Sequence, residues 1–328
     1  MSLALNAYLE PLATLLDDAQ VSELCINRPG EVWLEAQGQF RCLALPSLTE
    51  KRLLMLARLL AEANGKALSE KRPLLSATLP DGARCQMVLP PACARGQVIC
   101  AIRKPTVASL SLDDWEARGA FRRLGENRAR QLQEVGVTLN ALHRKGQFKD
   151  LIRTAVKSKL TILISGGTST AKTTFLNSCL REIPPSERLI TIEGVREVQP
   201  ENPNCVHLLA NEDEDLASSV SMLDLLKVSL RLRPDRLFVS ELRAAEAYPF
   251  LRACLSGHPG SLTTLHADSI DSAKTQLAFM LAESRALEGA TPERLHALIT
   301  ASVQVIVQMA RRADGARVIE DIHLQGVS

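Results

Sequence analysis

Leu160-Thr161-Ile162-Leu163-Ile164-Ser165-Gly166-Gly167-Thr168-Ser169-Thr170-Ala171-Lys172-Thr173-Thr174 reads as a short apolar strand, a loop of small residues and the first turn of a helix. The loop has the spacing G-x-x-x-x-A-K-T, one residue away from the phosphate-binding pattern G-x-x-x-x-G-K-[ST]. In such a loop backbone N–H groups curl around a β-phosphate, and the helix N-terminus adds partial positive charge. Gly166, Gly167, Thr168, Ser169, Thr170, Ala171, Lys172, Thr173 and Thr174 are therefore candidate nucleotide-binding residues. Lys172 supplies a point charge for the β and γ phosphates, and the Thr173 hydroxyl is placed to ligate Mg2+. Ala171 stands where glycine is usual. A φ above zero there costs an alanine roughly 1–2 kcal/mol, whereas helical dihedrals leave the methyl tolerated.

Downstream of the loop, apolar stretches at 189–193, 237–240 and 261–265 alternate with helical patterns at 173–181, 219–230, 244–255 and 271–283. Short apolar strands alternating with helices predict a parallel sheet covered on both faces, an α/β domain. Ligands of such sheets bind beyond the carboxyl ends of the strands. Leu189-Ile190-Thr191-Ile192-Glu193 and Leu237-Phe238-Val239-Ser240-Glu241 both end on a carboxylate, which puts Glu193 and Glu241 on the edge that carries the loop. One is expected to activate or orient the attacking water, the other to hold Mg2+ directly or through water. His266 closes Gly257-His258-Pro259-Gly260-Ser261-Leu262-Thr263-Thr264-Leu265-His266 on the same edge, placed to register loss of a γ-phosphate. His143, His207, His296 and His323 have no such context and read as ordinary. Thr291-Pro292-Glu293 predicts a helix start, and 303–309 with 316–324 a closing hairpin around Asp314-Gly315.

Residues 1–105 read as a smaller α+β domain. It has helices at 3–16 and 50–63, a strand–turn–strand over 22–34 turning at Asn27-Arg28-Pro29-Gly30, and strands at 83–89 and 97–103. Arg84 and Arg103 are its candidate phosphate-contacting arginines. A charged linker spans 106–149, and residues 150–328 form the nucleotide domain. The acidic run Glu212-Asp213-Glu214-Asp215 reads as a solvated loop.

The composition is that of an ordinary globular chain: 328 residues, 46% apolar, 23% charged, net charge +2. Near-balanced charge and an aromatic content of 3% argue against base-stacking or sequence-specific nucleic-acid binding. The eight cysteines form no C-x-x-C pair, so they read as reduced core thiols and not as a zinc module. The N-terminus has no basic stretch before an apolar run, and the apolar stretch 53–63 is far short of the ~20 residues that span a bilayer. Any membrane association is expected to be peripheral.

Taken together, these segments resemble the type II/IV secretion ATPase superfamily, most closely the small hexameric traffic ATPases of bacterial type IV secretion systems. The resemblance is carried by Ile26 to Gly30, by Leu79-Pro80-Asp81-Gly82-Ala83-Arg84 with Pro90-Pro91, by Ile102 to Pro105 and by the phosphate loop. It continues through an acidic box ending at Glu193, a Walker B region from Leu230 to Arg243 and a histidine box from Ser256 to His266. It implies a RecA-like ATPase domain behind the smaller N-terminal domain, assembled as a homo-hexamer. ATP and Mg2+ would lie between the domains, with Arg84 and Arg103 reaching the phosphates. It also implies hydrolysis that drives substrate transfer or pilus assembly at the cytoplasmic face of the inner membrane, alongside other inner-membrane secretion subunits. The chain departs from the family pattern at Ala171, at Gly194 where aspartate is common, at Ser240 where glycine is common, and at Ala244-Ala245 where a glycine is usual. These changes motivate an alternative, a nucleotide-binding assembly scaffold with weak hydrolysis. The larger type II or pilus ATPases, which carry a four-cysteine zinc module, fit less well.

Overall fold

The structure is a computed structural model that describes residues 3–105, 111–122, 124, 128–211 and 220–327. The expected acidic loop at 212–215 and parts of the expected linker (106–110, 123 and 125–127) lie outside the described residues.

The N-terminal part comprises α1 (Leu3–Asp17), β1 (Val21–Ile26), β2 (Glu31–Ala36), β3 (Gln39–Ala44), α2 (Glu50–Ala63), β4 (Leu74–Thr78), β5 (Arg84–Val88) and β6 (Ile99–Arg103). Its strands form an antiparallel sheet in the order β3-β2-β1-β6-β5-β4. Side chains of a strand alternate between faces, and here both faces are buried. Leu24, Ile26, Cys100 and Ile102 point to a core shared with Leu9 and Leu12 of α1 and Leu53, Leu56 and Leu60 of α2. Cys25, Ile99 and Ala101 point the other way, into a core shared with the C-terminal part. Thr49 starts α2 by accepting a hydrogen bond from the Arg52 N–H.

Three helices lead onward: α3 (Leu112–Ala117), α4 (Arg128–Arg144) and α5 (Phe148–Lys157). Then come β7 (Ile162–Gly166), α6 (Lys172–Leu180), β8 (Leu189–Glu193), β9 (Cys205–Leu209), α7 (Met222–Ser229), β10 (Arg236–Val239) and α8 (Ala247–Leu255). The chain finishes with β11 (Leu262–Leu265), α9 (Ile270–Ala282), α10 (Pro292–Ser302), β12 (Val305–Arg311) and β13 (Arg317–Leu324). The sheet order is β13-β12-β7-β11-β10-β8-β9, and every pairing is parallel except β12 with β13. One face packs on α4, α5 and α6 through Leu139, Leu151 and Leu176, so part of the charged linker is fixed to this sheet. The other face packs on α7 to α10 through Leu225, Phe250, Leu277 and Ile299. This is the α/β class read from the sequence. The expected start of α10 is present, with Thr291 capping and Pro292 at its first turn. The closing hairpin is part of the main sheet, because β12 also runs parallel to β7.

Candidate active site

Parallel pairing puts the carboxyl ends of β7, β11, β10 and β8 side by side, and each continues into a loop with chemistry. After β7 comes the phosphate loop. Ala171 has φ +69 and ψ +31, the left-handed conformation, and Ser169 has φ +62. The strained branch of the sequence reading therefore applies to Ala171. Gly166 has no room for a side chain: a Cβ there would lie 2.5 Å from Thr170 Oγ1 and 2.7 Å from the Met309 carbonyl on β12. Ala171→Gly relieves roughly 1–2 kcal/mol of strain and gives back about 0.4–1 kcal/mol through the more flexible unfolded chain. The expected result is a urea-unfolding free energy higher by about 0.5–1 kcal/mol; an unchanged or lower value contradicts it.

Lys172 is buried, and its Nζ donates to the Gly166 and Gly167 carbonyls at 2.8 and 2.9 Å. Burial pulls its pKa below the usual lysine range, opposed by the nearby Glu241 charge. The same Nζ lies 3.3 Å from His266 Nδ1, and His266 Nε2 lies 3.2 Å from Glu241 Oε1. Glu241 Oε2 accepts from Arg243 Nε and Nη2 at 3.1 and 2.9 Å. A polar chain, Lys172–His266–Glu241–Arg243, thus crosses three neighbouring strands. The end of β11 is held by Ser165 Oγ at 3.4 Å and Gln308 Nε2 at 3.1 Å, both donating to the Ala267 carbonyl.

These groups border a cavity of about 850 Å³. Ser169 to Thr174 of the loop, Glu241, Arg243 and His266 line it, as do Glu197 and Glu246. A cation, a hydroxyl and a carboxylate converging on a cavity of this size fit a nucleoside triphosphate and a divalent cation. Among the described residues no group of three or more His, Cys, Asp or Glu side chains is gathered so as to hold a metal ion, so a cation here would depend on Thr173, Glu241 and the phosphates themselves.

Two sequence expectations do not match the placement. Glu193 is fully buried and does not line the cavity. Its Oε1 accepts from Thr191 Oγ1, and its Oε2 accepts from the Glu197 and Val198 N–H groups, all at 2.7 Å. Burial alone would raise its pKa, but these hydrogen bonds and His207 outweigh it and hold the carboxyl below its usual value. Its carboxylate is committed to shaping the 194–198 turn, and Glu197 is the carboxylate that this turn presents to the cavity. Arg84 and Arg103 are also elsewhere. They face each other across β5 and β6 and line a separate cleft of about 530 Å³ with Glu23, Lys66, Arg231 and Arg233.

The reason lies in how the two sheets dock. The loops that enter β8, β9 and β10 hold the N-terminal sheet at the edge opposite the phosphate loop. Arg188 Nη1 donates to Asn27 Oδ1 at 2.7 Å and to Asn204 Oδ1, and Arg233 clasps both oxygens of Glu35. The Leu209 N–H donates to the Ala92 carbonyl at 2.9 Å along β9. Glu23, in the cleft, is pushed up to about 7 by burial and then by the Glu35 charge, against Arg103, Arg233 and Arg188.

Sequence reasoning passed over Glu197, Glu246 and Arg243 as site residues. Glu246 Oε1 accepts from the Arg243 and Ala244 N–H groups and so fixes the turn after Glu241. Its position three residues after Arg243 is a capping spacing and was the available signal. Glu197 carried none, since it lies in a loop.

Comparison with known proteins bears on the same chain. The family described as Type II/IV secretion system protein matches residues 6–319. The chain is 37% identical over 311 residues to the type IV secretion system protein VirB11 of Brucella suis biovar 1, covering 93% of this chain and 85% of that one. It is 36% identical over 322 residues to the type IV secretion system protein PtlH of Bordetella pertussis, covering 96% and 93%. Among solved structures, the VirB11 ATPase from the Brucella suis type IV secretion system in complex with sulphate is similar with a TM-score of 0.91 and 36% identity. It covers 98% of this chain and 94% of that one.

Proposed function

Because the chain belongs to the type II/IV secretion system protein family, we propose that it binds ATP with Mg2+ in the cavity at the carboxyl ends of β7, β10 and β11. The chain is a secretion-system ATPase of that family. The single observation that carries the site is the convergence of Lys172, Thr173, Glu241 and His266 on one cavity.

Lys172 holds phosphate oxygens in exchange for its own loop carbonyls. Thr173 and Glu241 hold the cation, which when bound neutralises phosphate charge. Glu241 orients the attacking water and takes its proton. His266, between Lys172 and Glu241, transmits the phosphate state from one to the other. A fluorescent ATP analogue with Mg2+ is expected to bind wild type and to bind Lys172→Ala about 10–100-fold more weakly, as loss of a charge-assisted hydrogen bond requires. Equal affinities would place the phosphates elsewhere.

We further propose a homo-hexameric ring, a closed cyclic assembly of the kind soluble homo-oligomers adopt; light scattering that finds a strict monomer with Mg2+ and nucleotide overturns it. The proposed location is peripheral, at the cytoplasmic face of the inner membrane, beside the other secretion subunits. No helix among the described residues is long and apolar enough to cross a membrane. Recovery away from washed inner membranes in cells that carry the whole secretion system would speak against that location. A second reading, a nucleotide-dependent scaffold with weak hydrolysis, is favoured by the strained Ala171 and by the capture of Glu241 between His266 and Arg243.

A further inference from the structure

β8 and β9 lie side by side at one end of the parallel sheet, and Thr191 of β8 is the register partner of His207 on β9. His207 Nδ1 lies 2.8 Å from Thr191 Oγ1, and Thr191 Oγ1 donates to Glu193 Oε1 at 2.7 Å. One hydroxyl proton cannot serve both neighbours. The buried Glu193 carboxyl, held below its usual pKa, takes it. Thr191 Oγ1 is then left to accept, so His207 carries its own proton on Nδ1. The other ring nitrogen, Nε2, lies 3.8 Å from Cys205 Sγ.

The bonds therefore run one way. His207 donates to Thr191, Thr191 donates to Glu193, and Glu193 Oε2 gathers the Glu197 and Val198 N–H groups. The same turn has a second anchor in Asn177 of α6, the helix that follows the phosphate loop. Asn177 Nδ2 donates to the Glu197 carbonyl at 3.0 Å, and its Oδ1 accepts from the Gln199 N–H at 2.8 Å. The backbone of Glu197 is thus held at its N–H and at its carbonyl, while its exposed side chain lines the nucleotide cavity. Without the Nδ1–H, the Thr191 hydroxyl loses the donor that orients it. Glu193 is a buried carboxylate that must keep its oxygens paired, so a freed Thr191 shifts it and the N–H groups it carries. Nothing beside His207 in the chain marks it, because it meets Thr191 through strand pairing.

We infer that His207 is a positioning residue for ATP hydrolysis: through Thr191 and Glu193 it sets the turn that presents Glu197 to the nucleotide cavity. This rests on the nucleotide site proposed above. No covalent bond forms or breaks in the relay.

The rival role is a ring that merely fills space at the end of the sheet. That role moves stability with side-chain size and leaves the catalytic step alone. The test uses the full chain and measures kcat and KM for ATP hydrolysis with Mg2+, with urea unfolding to show that each variant is folded. The variants are His207→Ala, His207→Asn, His207→Gln, Glu197→Gln, the His207→Ala and Glu197→Gln pair, and Lys172→Ala. Asparagine puts an amide N–H where Nδ1 stands, whereas glutamine puts it near Nε2, on the Cys205 side. His207→Ala is expected to lower kcat about 10–10²-fold, the cost of displacing a group by about 1 Å. Its KM is expected to stay within about threefold of wild type, since the phosphates are held by Lys172 and the loop. His207→Asn is expected to recover most of kcat, and His207→Gln is not. Glu197→Gln is expected to lower kcat at least as far as His207→Ala, and adding His207→Ala to it is expected to change kcat by less than about twofold, as two sites on one path require. His207→Ala with kcat near wild type, equal recovery by asparagine and glutamine, or a full His207→Ala loss on top of Glu197→Gln overturns the inference. Wild-type turnover no higher than that of Lys172→Ala means that the underlying site is wrong, and the inference falls with it. With wild type active and Lys172→Ala inactive, the site stands and the His207 series alone decides.

Discussion

Glu241→Gln lowers ATP turnover by about 10²–10⁴-fold, the range that removal of a positioned acid–base group produces, while leaving affinity for Mg2+-ATP within about tenfold of wild type. Two carboxylates were expected at this edge, and the structure brings one of them to the cavity. Glu193 has both oxygens engaged by the strand and turn that follow it. Glu241 has one oxygen on His266 and the other on an exposed arginine, so both of its partners are exchangeable. Steady-state turnover, with analogue binding as a control for folding, checks this. A Glu241→Gln variant within tenfold of wild type would move the base to Glu197, since Glu246, the third carboxylate lining the cavity, is engaged by the Arg243 and Ala244 N–H groups.

Arg236→Met destabilises the chain by about 3–5 kcal/mol, as breaking one side of a buried ion pair does. Arg236 is fully buried at the start of β10, the strand whose far end carries Glu241. Its Nε and Nη2 donate to Glu187 at 2.7 and 2.9 Å, and its Nη1 to the Val156 carbonyl at 2.7 Å. Gly260 makes room for it: a Cβ there would lie 2.8 Å from Arg236 Nη1 and 2.8 Å from the Lys159 Cα, at a φ of +77. Lys159 also reaches Glu187, at 3.1 Å, so the orphaned carboxylate keeps one partner and the loss falls toward the lower figure. Urea denaturation reads this directly, and a change below about 1 kcal/mol contradicts the assignment of a buried ion pair.

What could be read from the sequence was local or periodic. The phosphate loop, the ends of β10 and β11 and the alternation of β7 to α10 follow from short-range spacing, and Glu241 and His266 share the cavity as the strand-end argument requires. Strands without a clean apolar face escaped. In β3 nearly every residue is exposed, and β9 alternates buried and half-buried positions over only five residues. Glu193 and Glu241 look alike as strand-end carboxylates. What separates them is the set of N–H groups in the turn that follows, which a one-dimensional pattern does not contain. Arg84 and Arg103 depended on where one sheet docks on the other. That is settled by contacts such as Asn27 with Asn204, 177 positions apart, and by the buried Arg188 between them. Ala171 could be flagged as unusual, but its strain required the backbone conformation.

Steady-state ATP hydrolysis by wild type and Lys172→Ala, each with Mg2+ and each shown to be folded, tests the central claim most directly. Sustained turnover by wild type that drops to background in Lys172→Ala is the expected result. Wild-type turnover no higher than that of Lys172→Ala would contradict it and leave the scaffold reading in its place.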